Sequence, residues 1–237
     1  MKKKTGYILI TSLLLIVLLL LLFLRRSNKE DETEDAAPSE TMSYEEYDTL
    51  RLDQAPPGIK EWLDFYKTVD TAFVLRNFKG SGVTIHIDSL PNAISITDEK
   101  VYKPFLAYSP DSTKYIDFLS YNQFIDTNKQ GRLRIATGDP DQETSLVNKT
   151  KGEAKQLMYY GPGQAVEAAA WIDNQSFLLG IMSLDDSSRN WIPEIYLFNL
   201  DDFSFTNFRL TKNIPAEKLL DKKYFDHYFR SRNIIPD

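Results

Sequence analysis

Residues Tyr7 to Leu24 read YILITSLLLIVLLLLLFL, eighteen positions without a charge. As a helix rising about 1.5 Å per residue the run is about 27 Å long, close to the hydrocarbon thickness of a bilayer. A helix belonging to a water-soluble body is seldom apolar on all sides. The run therefore predicts a transmembrane helix, and the lipid bilayer is the first partner the sequence implies. Lys2, Lys3 and Lys4 precede it, and Phe23, Leu24, Arg25 and Arg26 close it without a small-residue cleavage site. That pattern reads as an uncleaved signal anchor over residues 1–26 rather than a removable signal peptide. Basic residues flank the run on both sides, with a slight excess before it. The positive-inside rule then favours a single-pass membrane protein whose C-terminal domain is extracytoplasmic.

Charge divides the rest of the chain into two parts. Residues 27–54 hold ten acids against Lys29 and Arg51, whereas residues 55–237 hold 24 acids and 21 bases. The stretch 27–57 is acidic, poor in large apolar groups and carries Pro38, Pro56 and Pro57. Such a composition buries too little surface to order itself, and its like charges keep it extended. It is predicted to be a flexible linker, with Ser43 to Leu52 as a short helix or docking segment within it. The remainder, 58–237, is predicted to be one mainly β globular domain with flanking helices. No basic face suited to a phosphate backbone is present, so no nucleic acid is expected as a partner. The chain has no Cys, which removes disulfides, thiolate nucleophiles, Cys-ligated zinc and thioether lipid attachment.

The domain opens on a helical pattern. Trp62, Phe65, Tyr66 and Val69 fall on one face of a helix predicted over about 58–70, with Pro57 at its start. From Thr71 the period shortens. TAFVLRNF, GVTIHIDSL and AISITD read as strands, with turns at Lys79-Gly80-Ser81-Gly82 and at Pro91-Asn92. In VTIHID, Val83, Ile85 and Ile87 alternate with Thr84, His86 and Asp88, the period of a strand with one wet face.

Two later stretches share a design. FLAYSPDSTKYIDFLS places Ser109, Pro110, Asp111, Ser112 and Thr113 between apolar runs, and AAAWIDNQSFLLGIM places Trp171 to Ser176 likewise, 62 positions further on. Pro110 presets the first central φ of a turn, and Asp111 suits the second. Tyr108-Ser109-Pro110-Asp111-Ser112-Thr113-Lys114 resembles the Ser-Pro-Asp turn of β-propeller blades of the TolB and WD40 type. The match departs from that pattern where Ser112 and Thr113 replace a single Gly. Each copy is followed by two further strand-like runs: GRLRIATGD and ETSLVNKT after the first, PEIYLFNLDD and FSFTNFRL after the second. The resemblance covers about residues 104–210 and implies antiparallel, blade-like meanders. Two blades cannot close a ring of four to eight, so a sandwich-like or curved antiparallel sheet stands beside the propeller-like one.

The C-terminal part offers a helix started by Pro215, with Leu219, Leu220, Tyr224 and Tyr228 in one stripe. Residues 207–237 carry seven bases against four acids. Such a helix packs on its own domain or touches anionic headgroups.

Motifs for chemistry are sparse. His86 and His227 are 141 positions apart, and no G-x-S-x-G, Walker or dinucleotide motif occurs. Asp126, Asn128, Gln130 and Gly131 mimic the start of a calcium loop, but Thr137 stands where the bidentate Glu belongs. Asp139, Asp141 and Glu143 form an acidic group that reads first as a solvated turn. Asn148-Lys149-Thr150 and Asn174-Gln175-Ser176 match the glycosylation triplet. No catalytic, cofactor-binding or metal-ligating residue is assigned, and no cofactor is implied. The expected role is a membrane-anchored, non-catalytic component of a bacterial cell envelope that binds or assembles with a protein partner. The alternative is an anchored hydrolase using a carboxylate pair. The two differ in whether paired carboxylates converge in a pocket or apolar groups gather on an exposed sheet edge.

Overall fold

A computed structural model describes residues 50, 54–94, 98–130, 133–138, 140–219 and 223–236. The chain there is mainly β, with antiparallel sheets and a few short helices. The apolar run Tyr7 to Leu24 lies outside the described residues, and among the described ones no helix is long and apolar enough to cross a membrane. Of the stretch read as a linker, Leu50 is buried in the core and Ala55 packs against it.

The first helix among the described residues, α1 (Pro57–Lys67), begins at Pro57, where the missing N–H costs nothing. Ile59, Trp62, Leu63 and Tyr66 are its buried residues, with Phe65 packed at the margin. The strand expected over 71–78 does not form. Asp70 accepts from the Ala72 amide, and Asn77 donates to the Ala72 carbonyl. These bonds curl the segment into a turn and a 3-10 helix, Leu75–Asn77. Phe73 and Phe78 thereby both enter the core beside Trp62.

The largest sheet runs β1 (Phe78–His86), β11 (Ser204–Leu210), β10 (Asn190–Asn199), β9 (Ser176–Asp185), β8 (Gln164–Trp171). Gly80-Ser81-Gly82, expected as a turn, lies inside β1. The pairing shifts register between Gly80 and Thr84, so the glycines serve a bulge rather than a reversal. The expected dry face of VTIHID is not dry either: Val83 and Ile85 are each 48% exposed, and Thr84 and His86 are exposed too. Strand β12 (Ile214–Pro215) continues the line of β11 along β10. Pro193 falls between the two pairings, where no ladder N–H is required.

A second sheet runs β2 (Ala107–Tyr108), β3 (Lys114–Asp117), β6 (Gln142–Asn148), β7 (Glu153–Tyr160). A third joins β4 (Gln123–Thr127) to β5 (Leu133–Thr137), with β13 (Ile235–Pro236) parallel to β5. The strands flanking and following the second turn, β8 to β11, form a consecutive meander. Those after the first do not, because the hairpin β4–β5 leaves the second sheet between β3 and β6. AISITD gives no named strand among the described residues. Asn92, read as part of a turn, instead bridges Lys155, and Asp98 caps the short helix α2 (Glu99–Tyr102).

Both turns form as read, and they touch. In the first, Asp111 accepts from the Thr113 amide and from the Ser109 hydroxyl, which hold its carboxyl down at about 2, and Ser112 takes a positive φ of 57°. In the second, Asp173 accepts from the Gln175 and Ser176 amides. Asn174 then joins them: its side-chain oxygen accepts from the Asp111 amide, and its carbonyl accepts from the Lys114 ammonium.

The C-terminal helix α3 (Tyr224–Ser231) is shorter than the sequence pattern predicts. After β12 the chain makes a 3-10 turn, Ala216–Lys218, before reaching it. Tyr224, Tyr228 and Phe229 are buried. Arg232 lies over the Tyr228 ring, 3.6 Å from its centroid, and makes a two-pronged ion pair with Glu61 that ties this end to α1.

Candidate binding cleft

Helix α1 sits unusually close to β8 and β9, and small residues make this possible. A Cβ on Gly58 would lie 2.6 Å from the Ala169 carbonyl oxygen, and one on Gly180 would lie 3.1 Å from the Trp62 ring. Ala168, Ala169 and Ala170 supply the rest of the flat surface. This approach brings Trp62 and Tyr66, one helical turn apart, over the start of β8.

There β8 carries a bulge. Val166 pairs with Ile181 and Ala168 with Gly180, leaving Glu167 as the extra residue. Bulges redirect a side chain out of the strict alternation of a strand. Glu167 turns to α1, where the Trp62 indole N–H and the Tyr66 hydroxyl both donate to its Oε2 at 2.8 Å. Among the described residues no donor reaches Oε1. Glu167 is only 9% exposed, and burial pushes its carboxyl up to about 7 against the pull of the two donors. The Tyr66 hydroxyl is raised well above its ordinary value, chiefly by burial and then by the charge of Glu167.

Glu167 lines a cleft of about 900 Å3 between the helix-covered face of the large sheet, the β4–β5 hairpin and α3. Met182, Leu184, Trp191 and Phe225 give it apolar walls, and Arg189, Lys223, Asp226 and Arg230 are its charged residues. A wider and more open depression of about 1150 Å3 adjoins it between α1 and α3, sharing Lys223, Asp226 and Arg230. That depression has no buried acid. The narrower cleft, which holds the buried acid, is therefore the candidate site.

The residues singled out from the sequence for chemistry lie elsewhere, apart from Thr137, which lines the cleft from the end of β5. His86 is exposed on β1, and His227 packs 5.1 Å from the Phe65 ring. Asp126 is ion-paired with Arg134 across the β4–β5 hairpin, and Asn128 accepts from the Gln130 amide within its turn. Both roles are those of an ordinary hairpin. Asp139 and Gly131 lie outside the described residues. Asp141 accepts from Tyr159. Glu143 is not in a solvated turn: it is 2% exposed on β6, where it accepts from the Ile94 amide and the Ser145 hydroxyl. Asn148 accepts from the Lys151 amide. Among the described residues no group of three or more His, Asp or Glu is placed to hold a metal ion.

Apolar groups on a sheet edge are also present. Ile85 of β1 begins a cross-strand ladder that runs through Phe205, Phe198 and Phe177 to Trp171. Neighbouring rings lie 4.9–5.2 Å apart.

No family model, no curated protein and no solved structure matches this chain.

Proposed function

We propose that this chain is a membrane-tethered binding protein whose extracytoplasmic body captures a ligand in the cleft over Glu167. The tether in this reading is the apolar run 7–24, and the acidic stretch after it is the spacer. One observation carries the proposal: a bulge and two dedicated donors aim a single buried carboxyl into a cleft with apolar walls. Keeping an acid buried there is costly to folding, and such a cost is retained where the group meets a ligand. The paired turns held by Asn174 belong to the same reading as neighbouring blade-like units, a scaffold on whose strand β8 the site is built.

A hydrolase is the second reading, favoured by the raised Glu167 carboxyl, which suits a general acid near neutral pH. It needs a partner carboxylate. The other acid of the cleft, Asp226, is exposed and neighbours Lys223 and Arg230, which favours the binding role.

The test uses the full chain in detergent. Metabolite-sized compounds are screened by thermal shift and by Trp fluorescence, since Trp191 lines the cleft and Trp62 donates to Glu167 behind it. Hits should lose their effect in Ala165→Phe, which narrows the cleft without removing a hydrogen bond. A screen whose hits bind that variant as well as the parent would reject the site. Turnover of chromogenic glycosides, abolished in Glu167→Gln, would replace binding by hydrolysis. Release of the chain from membranes by alkaline carbonate would remove the tether.

A further inference from the structure

Glu167 is buried whereas the other charged residues of the cleft, Arg189, Lys223, Asp226 and Arg230, are exposed, and this inequality specifies a class of ligand. Resting on the binding reading, we propose that the cleft takes a short apolar peptide with a free N-terminus: the α-amine against Glu167, the side chains against the apolar walls, and the terminal carboxylate at the basic mouth.

At the bottom, Oε2 of Glu167 already accepts from Trp62 and Tyr66, whereas Oε1 has no donor among the described residues. Both neighbours are donors and favour the carboxylate, but burial outweighs them. What the site lacks is a positive charge near Oε1. A hydroxyl would supply one hydrogen bond and no charge. An ammonium supplies up to three donors and a charge, which offsets the desolvation of the carboxylate. No protein cation is ion-paired with Glu167 among the described residues, and the Lys and Arg groups of the cleft are exposed.

The charged residues of the cleft other than Glu167 are Arg189, Lys223 and Arg230 against Asp226, an excess of two positive charges. A simple organic amine would leave that excess unused and would meet it as repulsion. A ligand that carries a carboxylate at the end opposite its amine answers both. The same cleft is lined by Met182, Leu184, Trp191 and Phe225, surfaces that favour aliphatic and aromatic side chains over polar ones. A volume of about 900 Å3 exceeds the needs of a single amino acid and suits a short peptide.

The experiment titrates the full chain in detergent micelles with L-leucyl-L-phenylalanine and with its N-acetyl derivative, by calorimetry at pH 7.5. The free dipeptide should bind, and acetylation should weaken binding by about tenfold or more, the scale expected for a charged hydrogen bond in a buried site. Glu167→Gln should weaken the free dipeptide by a similar factor and leave the acetylated one unchanged, with circular dichroism confirming the fold. Ala165→Phe, which spares Glu167, should weaken both. Equal binding of the free and acetylated dipeptides would overturn the amine assignment. Failure of both dipeptides, while library hits still respond to Ala165→Phe, would overturn the peptide class and leave the binding site standing. If no compound of any kind responds to Ala165→Phe, the binding site falls and the peptide with it.

Discussion

An interior strand and an edge strand of the largest sheet both carry apolar residues and live under different physics. Strand β9 is buried without interruption from Phe177 to Ser183, because α1 covers one of its faces and the ladder rings of Trp171, Phe177 and Phe198 fill the other. Strand β1, at the far edge, exposes Val83, Thr84, Ile85 and His86. Along the ladder the exposure is 8% at Trp171, 0% at Phe177, 3% at Phe198 and 48% at Ile85. An apolar side chain is thus worth little or much depending on whether a second layer reaches it, and the helix that makes β9 a core strand also makes the cleft.

The sharpest way to break this contrast is to remove the covering group. Trp62 is fully buried and touches Tyr66, Phe73 and Phe78. Trp62→Ala should cost about 3–5 kcal/mol in denaturant unfolding, and it also removes one donor to Glu167.

Glu167→Gln comes next, and its effect depends on pH. The carboxyl stands at about 7 when folded against an ordinary 4.5. Between those values the folded state keeps a proton that the unfolded state has lost, so stability falls as pH rises through that window, by about 3 kcal/mol in all. Below pH 4.5 the acid is neutral in both states and the cost is absent. Melting curves from pH 4.5 to 8 should fall more steeply for the parent chain than for Glu167→Gln, whose advantage should be largest at pH 8. Parallel curves would show that the carboxyl is in contact with water.

Gly58→Ala sharpens the comparison through its sign. In an exposed helix position this change stabilises by up to about 1 kcal/mol. Here the new Cβ meets the Ala169 carbonyl, and lifting α1 from the sheet should instead cost about 1–2 kcal/mol. The smallest effect belongs to the far edge: Ile85→Ala, at a half-exposed side chain, should cost about 0.5–1 kcal/mol, and the same unfolding titrations measure it.

The sequence exposes those elements whose pattern is local. The helix stripe of Trp62 and Tyr66, the turn at Ser109 to Thr113 and the hairpin that joins β10 to β11 each depend on residues within a dozen positions, and each is present. The strand expected over 71–78 failed because Asp70 and Asn77 offered the backbone side-chain partners that compete with a ladder. Gly80 and Gly82 misled because a glycine that permits a turn equally permits a bulge. The long stripe predicted from Leu219 to Tyr228 failed to become one helix because β12 and the 3-10 turn claim the chain first. Glu167 was invisible for a different reason. In QAVEAAAW it is a lone acid in an apolar strand, and its partners Trp62 and Tyr66 are about a hundred positions away. The signal that could have pointed to it is the run of three alanines beside it, a surface too smooth to fill its own space and therefore open to a close neighbour such as α1.

One side chain settles how the second sheet meets the first. Gln142, 2% exposed, donates to the carbonyls of Phe118 and Val166 and accepts from the Val166 amide. Its carboxamide thus imitates a peptide group and occupies the place of a missing strand beside β8. Deuterium uptake at the single amide of Val166 consequently gauges how often the two layers part, one residue upstream of the acid at the floor of the cleft.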